Sequence, residues 1–274
     1  MPRNCSKSIA RRRKQLLDHV PNPPADDVPS DGEEDFEVLR EVAQKPSFDF
    51  AARDHLDLAQ AHGWIDAARG TKVSGSRFIC RIGDLALLEL ALYRYALSRV
   101  AEKGHIPILP PVLVREEAMY GTGFFPTDAV NVYGVERDDL YLVGTSEVPV
   151  AAFHAQEILE ELPLRYVAYS TCFRREAGAV RVLDIEAWFP GQGRYREITS
   201  TSNTTDFQSR RLEIRCRRAG KPEPVHTLNG TAITARAMIA ILENFQQADG
   251  SIAVPSVLWE FGAPRKIGSR QNHL

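Results

Sequence analysis

No run among the 274 residues approaches the ~18–20 consecutive apolar positions of a membrane-spanning helix, so a helical membrane protein is excluded. An excess of one charge is missing too. Lys and Arg number 34 against 36 Asp and Glu, a net charge of -2, so any nucleic-acid binding must rest on local patches. Cysteine is scarce: Cys5, Cys80, Cys172 and Cys216 are scattered without paired spacing, which fits reduced thiols in a cytosolic protein. The seven histidines form no HxxxH pattern and there is no CxxC, which argues against a zinc site. No internal repeat excludes a solenoid. What remains, at 43% hydrophobic residues, is enough to bury one sizeable core with a small appendage.

The first twenty residues are basic and poor in acids, with Arg3, Lys7, Arg11, Arg12, Arg13 and Lys14 against Asp18. That composition fits an organellar transit peptide or the end of a solvated helix carrying Ile9, Leu16, Leu17 and Val20 on one side. "VPNPPADDVPSDGEED", residues 20 to 35, is a linker by its prolines and mutually repelling acids, and the folded domain is expected to begin near Pro46. "GDLALLELALYRYALSRVAEKG" predicts an amphipathic helix capped by Asp84, with Leu85, Leu88, Leu92 and Ala96 on one face and Gly104 as its stop. "HIPILPPVLV" predicts an apolar strand whose Pro107, Pro110 and Pro111 confine it to a sheet edge or an interface.

Further along, "DLYLVGTSEVPVAAFH" reads as a strand to Gly144 and a turn into a short helix. "LRYVAYSTCFRRE" and "YREITSTSN" alternate like strands. "HTLNGTAITARAMIAILENFQQADG" reads as a strand, a turn at Asn229-Gly230-Thr231, and a helix ending before Gly250. Strands that pair with their neighbours, with helices gathered on one side, predict an α+β domain on an antiparallel sheet.

Four polar clusters stand at strand ends inside apolar segments: Thr145-Ser146-Glu147, Arg174-Arg175-Glu176, Glu197-Ile198-Thr199-Ser200, and Thr231 with Arg236. Each alone reads equally as a turn, a surface ion pair or a helix cap. Two arginines in one pocket suit a polyphosphate, because guanidinium matches phosphate oxygens bidentately and stays charged. Carboxylates beside them suit magnesium or an ammonium group.

In their order and surroundings these clusters resemble the catalytic domain of the class II aminoacyl-tRNA synthetases, specifically the bacterial seryl-tRNA synthetases. "KVSGSRF", "GTGFFP", "DLYLVGTSEVP", "DIEAWFPGQGRYREITSTSN" and "HTLNGT" carry the resemblance, from about Pro46 to Cys172 and again from Asp184 to about Gly262. It implies an ATP-dependent serine–tRNA ligase, cytoplasmic and homodimeric, with ATP, L-serine and tRNA(Ser) as substrates and Mg2+ as cofactor. The helix from Leu85 and the strand to Pro111 correspond to the family's dimer-forming first motif. Thr145, Ser146, Glu147 and Thr231 correspond to positions that hold serine, Glu147 by pairing with its ammonium group. Arg174, Arg175 and Glu176 correspond to the second motif, on the ATP α-phosphate and adenine. Glu197, Ile198, Thr199 and Ser200 correspond to ATP positions, with Glu197 and Ser200 as magnesium ligands, and Arg236 to the third-motif arginine on the γ-phosphate. The implied chemistry, in-line attack by the serine carboxylate, relies on positioning and charge neutralisation and needs no protein nucleophile.

The sequence departs from the family in two places. The second motif should return through another strand, carrying a glutamate that reads the serine hydroxyl. Here Ala177 to Leu183 stand in for a stretch on the order of 80–90 residues longer. Seven residues reach ~25 Å at most, enough to cross a gap but not to replace a strand. The family's tRNA-gripping helical arm has a counterpart only around Lys14 to Val20, so residues 1–45 are expected to be an arm remnant plus linker, 46–274 the catalytic domain, and tRNA binding weakened. Two other readings stay open: a non-catalytic binding or regulatory paralogue, and a ligase that loads serine onto another acceptor.

Overall fold

The computed structural model describes residues 8, 9, 12, 13, 16, 17, 19, 20, 22, 36–173 and 183–268. The order begins α1 (His55–Ala61), β1 (Ile65–Asp66), α2 (Ala67–Ser74), β2 (Cys80–Arg81), α3 (Asp84–Glu102), β3 (Ile106–Ile108) and β4 (Leu113–Val114). It continues α4 (Glu116–Gly121), β5 (Tyr133–Val135), β6 (Leu140–Leu142), α5 (Glu147–Ala152), β7 (Ile158–Leu159) and β8 (Tyr166–Ala168). Then come β9 (Leu183–Phe189), β10 (Arg194–Thr205), α6 (Phe207–Leu212), β11 (Arg215–Arg218), β12 (Lys221–Pro224) and β13 (Thr227–Gly230). The last are α7 (Ala235–Asn244), β14 (Ile252–Ala253) and β15 (Lys266–Ile267). This is a mixed helix-and-sheet chain whose strand pairs are mostly antiparallel, with parallel pairs at β3/β8 and β11/β7.

Two compact units divide the chain. The first takes Met1–Glu37, His105–Val182 and Ser202–Asn229; the second takes Val38–Gly104, Leu183–Thr201 and Gly230–Leu274. The strands β10 and β13 each pass from one unit into the other along the chain.

The second unit is built on α3. Leu85, Leu88, Leu92 and Ala96 are buried at the expected helical spacing, together with Ala91. They pack with Leu58 of α1, Trp64, Met238 and Leu242 of α7, Ile252, Leu258 and Ile267. Each fully buried large side chain contributes about 1.5–3 kcal/mol, so this cluster is what fixes α7 against α3. The helix start differs from expectation. Gly83, at φ 61°, is the cap, and Asp84 is the first helical residue, where its charge favours the helix N-terminus without a capping bond. Glu243 of α7 is fully buried and satisfied: it bonds His55 Nδ1 at 2.7 Å and accepts from the Gly191 N–H at 2.9 Å. That bond ties the turn between β9 and β10 to α7.

The first unit has two smaller cores. One gathers Val114, Met119, Val143 and Val148. The other gathers Leu212, Ile214 and Val225. The proline-rich segment does not make one strand. It splits into β3 and β4 with Pro110 and Pro111 between them, because proline lacks the N–H a continuous ladder needs. In its two-stranded sheet β3 pairs only with β8, an edge position as expected. The strand expected from Leu164 onward is shorter than its alternation suggests, with only Tyr166–Ala168 in a ladder.

Candidate active site

The sequence-predicted site residues fall into two groups, one in each unit. In the first unit, β6 ends at Leu142 and the chain turns through Thr145 into α5, where Thr145 Oγ1 accepts the Glu147 N–H at 3.2 Å. Ser146 is the residue before the helix and makes no side-chain cap bond. Glu147 Oε1 takes two amide donors, Gln208 Nε2 at 2.5 Å and Asn229 Nδ2 at 2.7 Å. Burial pushes the Glu147 carboxyl above the ordinary carboxylate range, and these two bonds pull partly the other way. Neither amide belongs to the motif strings that pointed to Glu147. They lie 61 and 82 residues away in sequence, and Asn229 reads locally as a turn residue.

The strand that opens the second motif comes to the same place. The Phe173 N–H bonds the Val143 carbonyl at 2.7 Å, two residues before Thr145. Arg174, Arg175 and Glu176 follow directly, and these three lie outside the described residues.

In the second unit the decisive feature is a β-bulge. Glu197 pairs with Glu186 and Ser200 with Asp184, and the register shifts between Glu197 and Thr199. Residues three apart on a regular strand face opposite sides. The extra residue, Ile198, puts Glu197 and Ser200 on one face with Asp184 and Glu186. Thr199 turns to the other face and is buried.

Opposite that face begins α7. Thr234 caps it, accepting from the Arg236 N–H at 3.2 Å, and its hydroxyl donates to the Ile198 carbonyl at 3.1 Å. The cap thus stitches the helix start to the bulge. Arg236 then reaches Glu197, Nη1 to Oε1 at 3.2 Å. Its side chain is 57% exposed, so the pair contributes only about 0–1 kcal/mol and opens readily for a stronger anion. The Thr231 N–H bonds the Ser200 carbonyl at 2.9 Å, which fixes the turn after β13, while the Thr231 side chain is exposed. Gly230 fits there because a Cβ would come within 2.8 Å of Thr201 Cγ2.

Chemically, Glu197, Ser200 and Arg236 offer one cation and two oxygen ligands, with the carboxylates of Asp184 and Glu186 on the same face of the sheet. A carboxylate and a hydroxyl are too few to cage a metal, but they suit magnesium, which keeps its waters and takes its other ligands from phosphate. Among the described residues the tightest set of potential metal ligands is elsewhere, at Asp54, His55 and Glu243, where the carboxylate and imidazole already bond each other.

Comparisons with known proteins point to one family. The family model of the class II tRNA synthetase core domain (G, H, P, S and T) matches residues 177–245, which hold β9, the bulge, β13 and α7. The serine–tRNA ligase of Thermobifida fusca is 45% identical over 93% of this chain and 76% of its own length. That of Acidothermus cellulolyticus is 43% identical over 90% and 75%. Among solved structures, seryl-tRNA synthetase from Pyrococcus horikoshii complexed with ATP superimposes with a TM-score of 0.90 at 34% identity, over 96% of this chain and 79% of that one. The cytoplasmic enzyme of Naegleria fowleri in complex with AMP gives 0.86 at 29% identity, over 95% and 79%.

The Thermobifida alignment runs over 323 positions while using 93% of a 274-residue chain, about 255 residues, so about 68 positions of the alignment face no residue here. With matches of this identity along nine-tenths of its length and three-quarters of theirs, the chain belongs to the seryl-tRNA synthetase family of the class II aminoacyl-tRNA synthetases.

Proposed function

We propose that the chain is an ATP-dependent serine–tRNA ligase, activating L-serine as seryl-adenylate and passing the seryl group to tRNA(Ser), with a weakened first step. The observation that carries this is the Glu197–Arg236 pair on the face that also holds Ser200. A cation, a carboxylate and a hydroxyl brought together by a bulge and a capped helix are suited to a triphosphate with its metal.

In this reading Glu147 takes the serine ammonium group, with Thr145, Ser146 and Thr231 around the amino acid. Glu197 and Ser200 would hold Mg2+, which when bound neutralises the phosphate charge that opposes attack. Arg236 leaves Glu197 for the γ-phosphate and helps draw off pyrophosphate. Arg174 and Arg175 at the α-phosphate and Glu176 at adenine complete the nucleotide contacts, and Ile198 and Thr199 contribute through the backbone of the bulge. The serine carboxylate attacks the α-phosphorus in line, pyrophosphate departs, and a tRNA hydroxyl later displaces AMP. The test is calorimetric. Mg·ATP should bind detectably, and Arg236→Ala should weaken it by about tenfold or more, the loss expected for a charge-assisted bond. Equal affinity in the variant would refute the assignment.

A homodimer belongs to this reading. Leu87 and Leu90 on α3 are 49% and 54% exposed, and Ile106 and Leu109 are 54% and 78% exposed. Apolar side chains this open on the first-motif elements fit a second copy as their cover. Sedimentation equilibrium should return a dimer at micromolar concentration; a folded monomer would count against it.

For the acceptor, the ribbon β11–β12 presents Arg215, Arg217, Arg218 and Lys221, all exposed. Arg215 and Arg217 share one face, opposite Pro224 and Pro222. Four cations of this kind supply sequence-independent attraction to a phosphate backbone, with a salt slope of roughly -3. Filter binding should show weak, salt-sensitive tRNA retention without serine-tRNA preference, and reversing the three arginines should flatten the slope. Tight, serine-tRNA-selective retention at physiological salt would contradict this. No described helix is long and apolar enough to cross a membrane, and a cytoplasmic site of action is part of the proposal.

A further inference from the structure

We infer that Gln208 and Asn229 are positioning residues that saturate one oxygen of Glu147 and present the other, Oε2, to the ammonium group of an amino acid. The inference rests on Glu147 as the ammonium partner and adds how that carboxylate is held.

Both amide nitrogens converge on the same oxygen, Oε1. A carboxylate has room for about four donors, so aiming two at one oxygen fixes its plane and leaves Oε2 for a ligand. The orientation of the buried Gln208 amide is itself enforced. The Glu147 carboxylate can only accept, so the nitrogen end of Gln208 faces it and Gln208 Oε1 accepts from Thr227 Oγ1 at 2.9 Å. With its proton given to Gln208, Thr227 Oγ1 can only accept from Thr204, whose single hydroxyl proton is shared between Thr227 Oγ1 at 2.5 Å and the Thr227 carbonyl at 2.9 Å. The direction of donation is therefore single: Thr204 to Thr227, Thr227 to Gln208, Gln208 to Glu147, with Asn229 joining at the end.

Thr227 and Asn229 are two apart on β13 and so face the same side, which lets one strand orient the glutamine and bond the glutamate. All five residues lie in the first unit.

A structural role alone would not need this arrangement. A half-buried glutamate still loses solvation of its charge, a cost that amide bonds offset only in part. The groups bonded to this carboxyl are neutral amides, and the nearby Cys172 thiol, pushed up by burial, stays uncharged. Among the described residues the hydrogen-bond partners of this carboxyl are neutral, and a primary ammonium from a ligand fits its other oxygen.

The test compares Glu147→Gln, Asn229→Ala, Thr227→Val and Thr227→Ser. L-serine binding is followed by calorimetry across pH, and the Glu147 side-chain carboxyl by carbon-13 NMR titration. Asn229→Ala and Thr227→Val should each weaken serine about tenfold at neutral pH, as loss of a bond to a charged group does. Both should also move the Glu147 titration to higher pH, because donors that favoured the carboxylate are gone. Thr227→Ser should keep the wild-type values, and Mg·ATP binding should be unchanged throughout. If Glu147→Gln abolishes serine binding while the other variants leave affinity and titration untouched, the relay is refuted and the ammonium site stands. If Glu147→Gln binds serine normally, the ammonium assignment falls and the relay with it. The NMR titration decides the relay even if serine binds too weakly for calorimetry, since Thr227 bonds Gln208 and can move the Glu147 titration only through it.

Discussion

Inserting, between Ala177 and Leu183, the segment of the Thermobifida fusca ligase that lacks a counterpart here should raise serine-dependent pyrophosphate exchange by at least ~10²-fold. The reason is positional. The described part of the second-motif segment is pinned at Phe173 to Val143, and the sequence between Ala177 and Leu183 is too short to hold the family's returning strand. An arginine displaced by ~1 Å from a developing charge can cost ~10²-fold, since the reaction depends on alignment alone. The sheet carries the same mark. In the order β13-β10-β9, β9 is the outer strand among the described residues, and its Ile185 is 57% exposed. An open edge with an exposed apolar side chain is a place where another strand would normally be covered or paired. Exchange in the chimera no faster than in the shorter chain would show that the missing segment does not limit catalysis.

The second large effect concerns selection. The family's returning strand brings the glutamate that reads the serine hydroxyl. A site built to bond a substrate hydroxyl rejects the analogue without it by ~10⁴-fold or more. In the proposed site Glu147, held by Asn229 and Gln208, would take the ammonium group that serine and alanine share. Discrimination should therefore collapse to roughly 10-fold or less, the scale of contacts that do not see the hydroxyl. Trapping the activated amino acids as hydroxamates from an equimolar mixture would measure it, and strong exclusion of alanine would mean another group reads the hydroxyl. Acidity should act on both amino acids alike. The Glu147 carboxyl sits above its ordinary range, so the ammonium partner is present above that raised pKa. It is lost as pH falls through it, at a higher pH than for an exposed carboxylate.

Legibility in the sequence followed the range of each interaction. The helix α3 could be read because Leu85, Leu88, Leu92 and Ala96 encode their shared face at local spacing. Its cap was misplaced by one residue, since Gly83 acts through backbone conformation and leaves no side-chain signal. Glu197, Ser200 and Arg236 could be named from their strings. That they share a neighbourhood depends on a bulge at Ile198 and a cap at Thr234, and neither is visible in the alternation of "YREITSTSN". Gln208 and Asn229 escaped notice because nothing near them in sequence refers to Glu147. The proline-bearing strand was read as one element and is two, since alternation alone does not record where the ladder must break.

The most direct test of the central claim, a seryl-tRNA synthetase with part of its catalytic strand layer missing, is the rate of serine-dependent ATP–pyrophosphate exchange by the 274-residue chain itself. Magnesium-dependent exchange should be detectable with serine and at least ~10²-fold slower than that of an intact relative assayed alongside. A rate matching the intact enzyme would mean that the short link between Phe173 and Asp184 is a working replacement, and the account would be wrong.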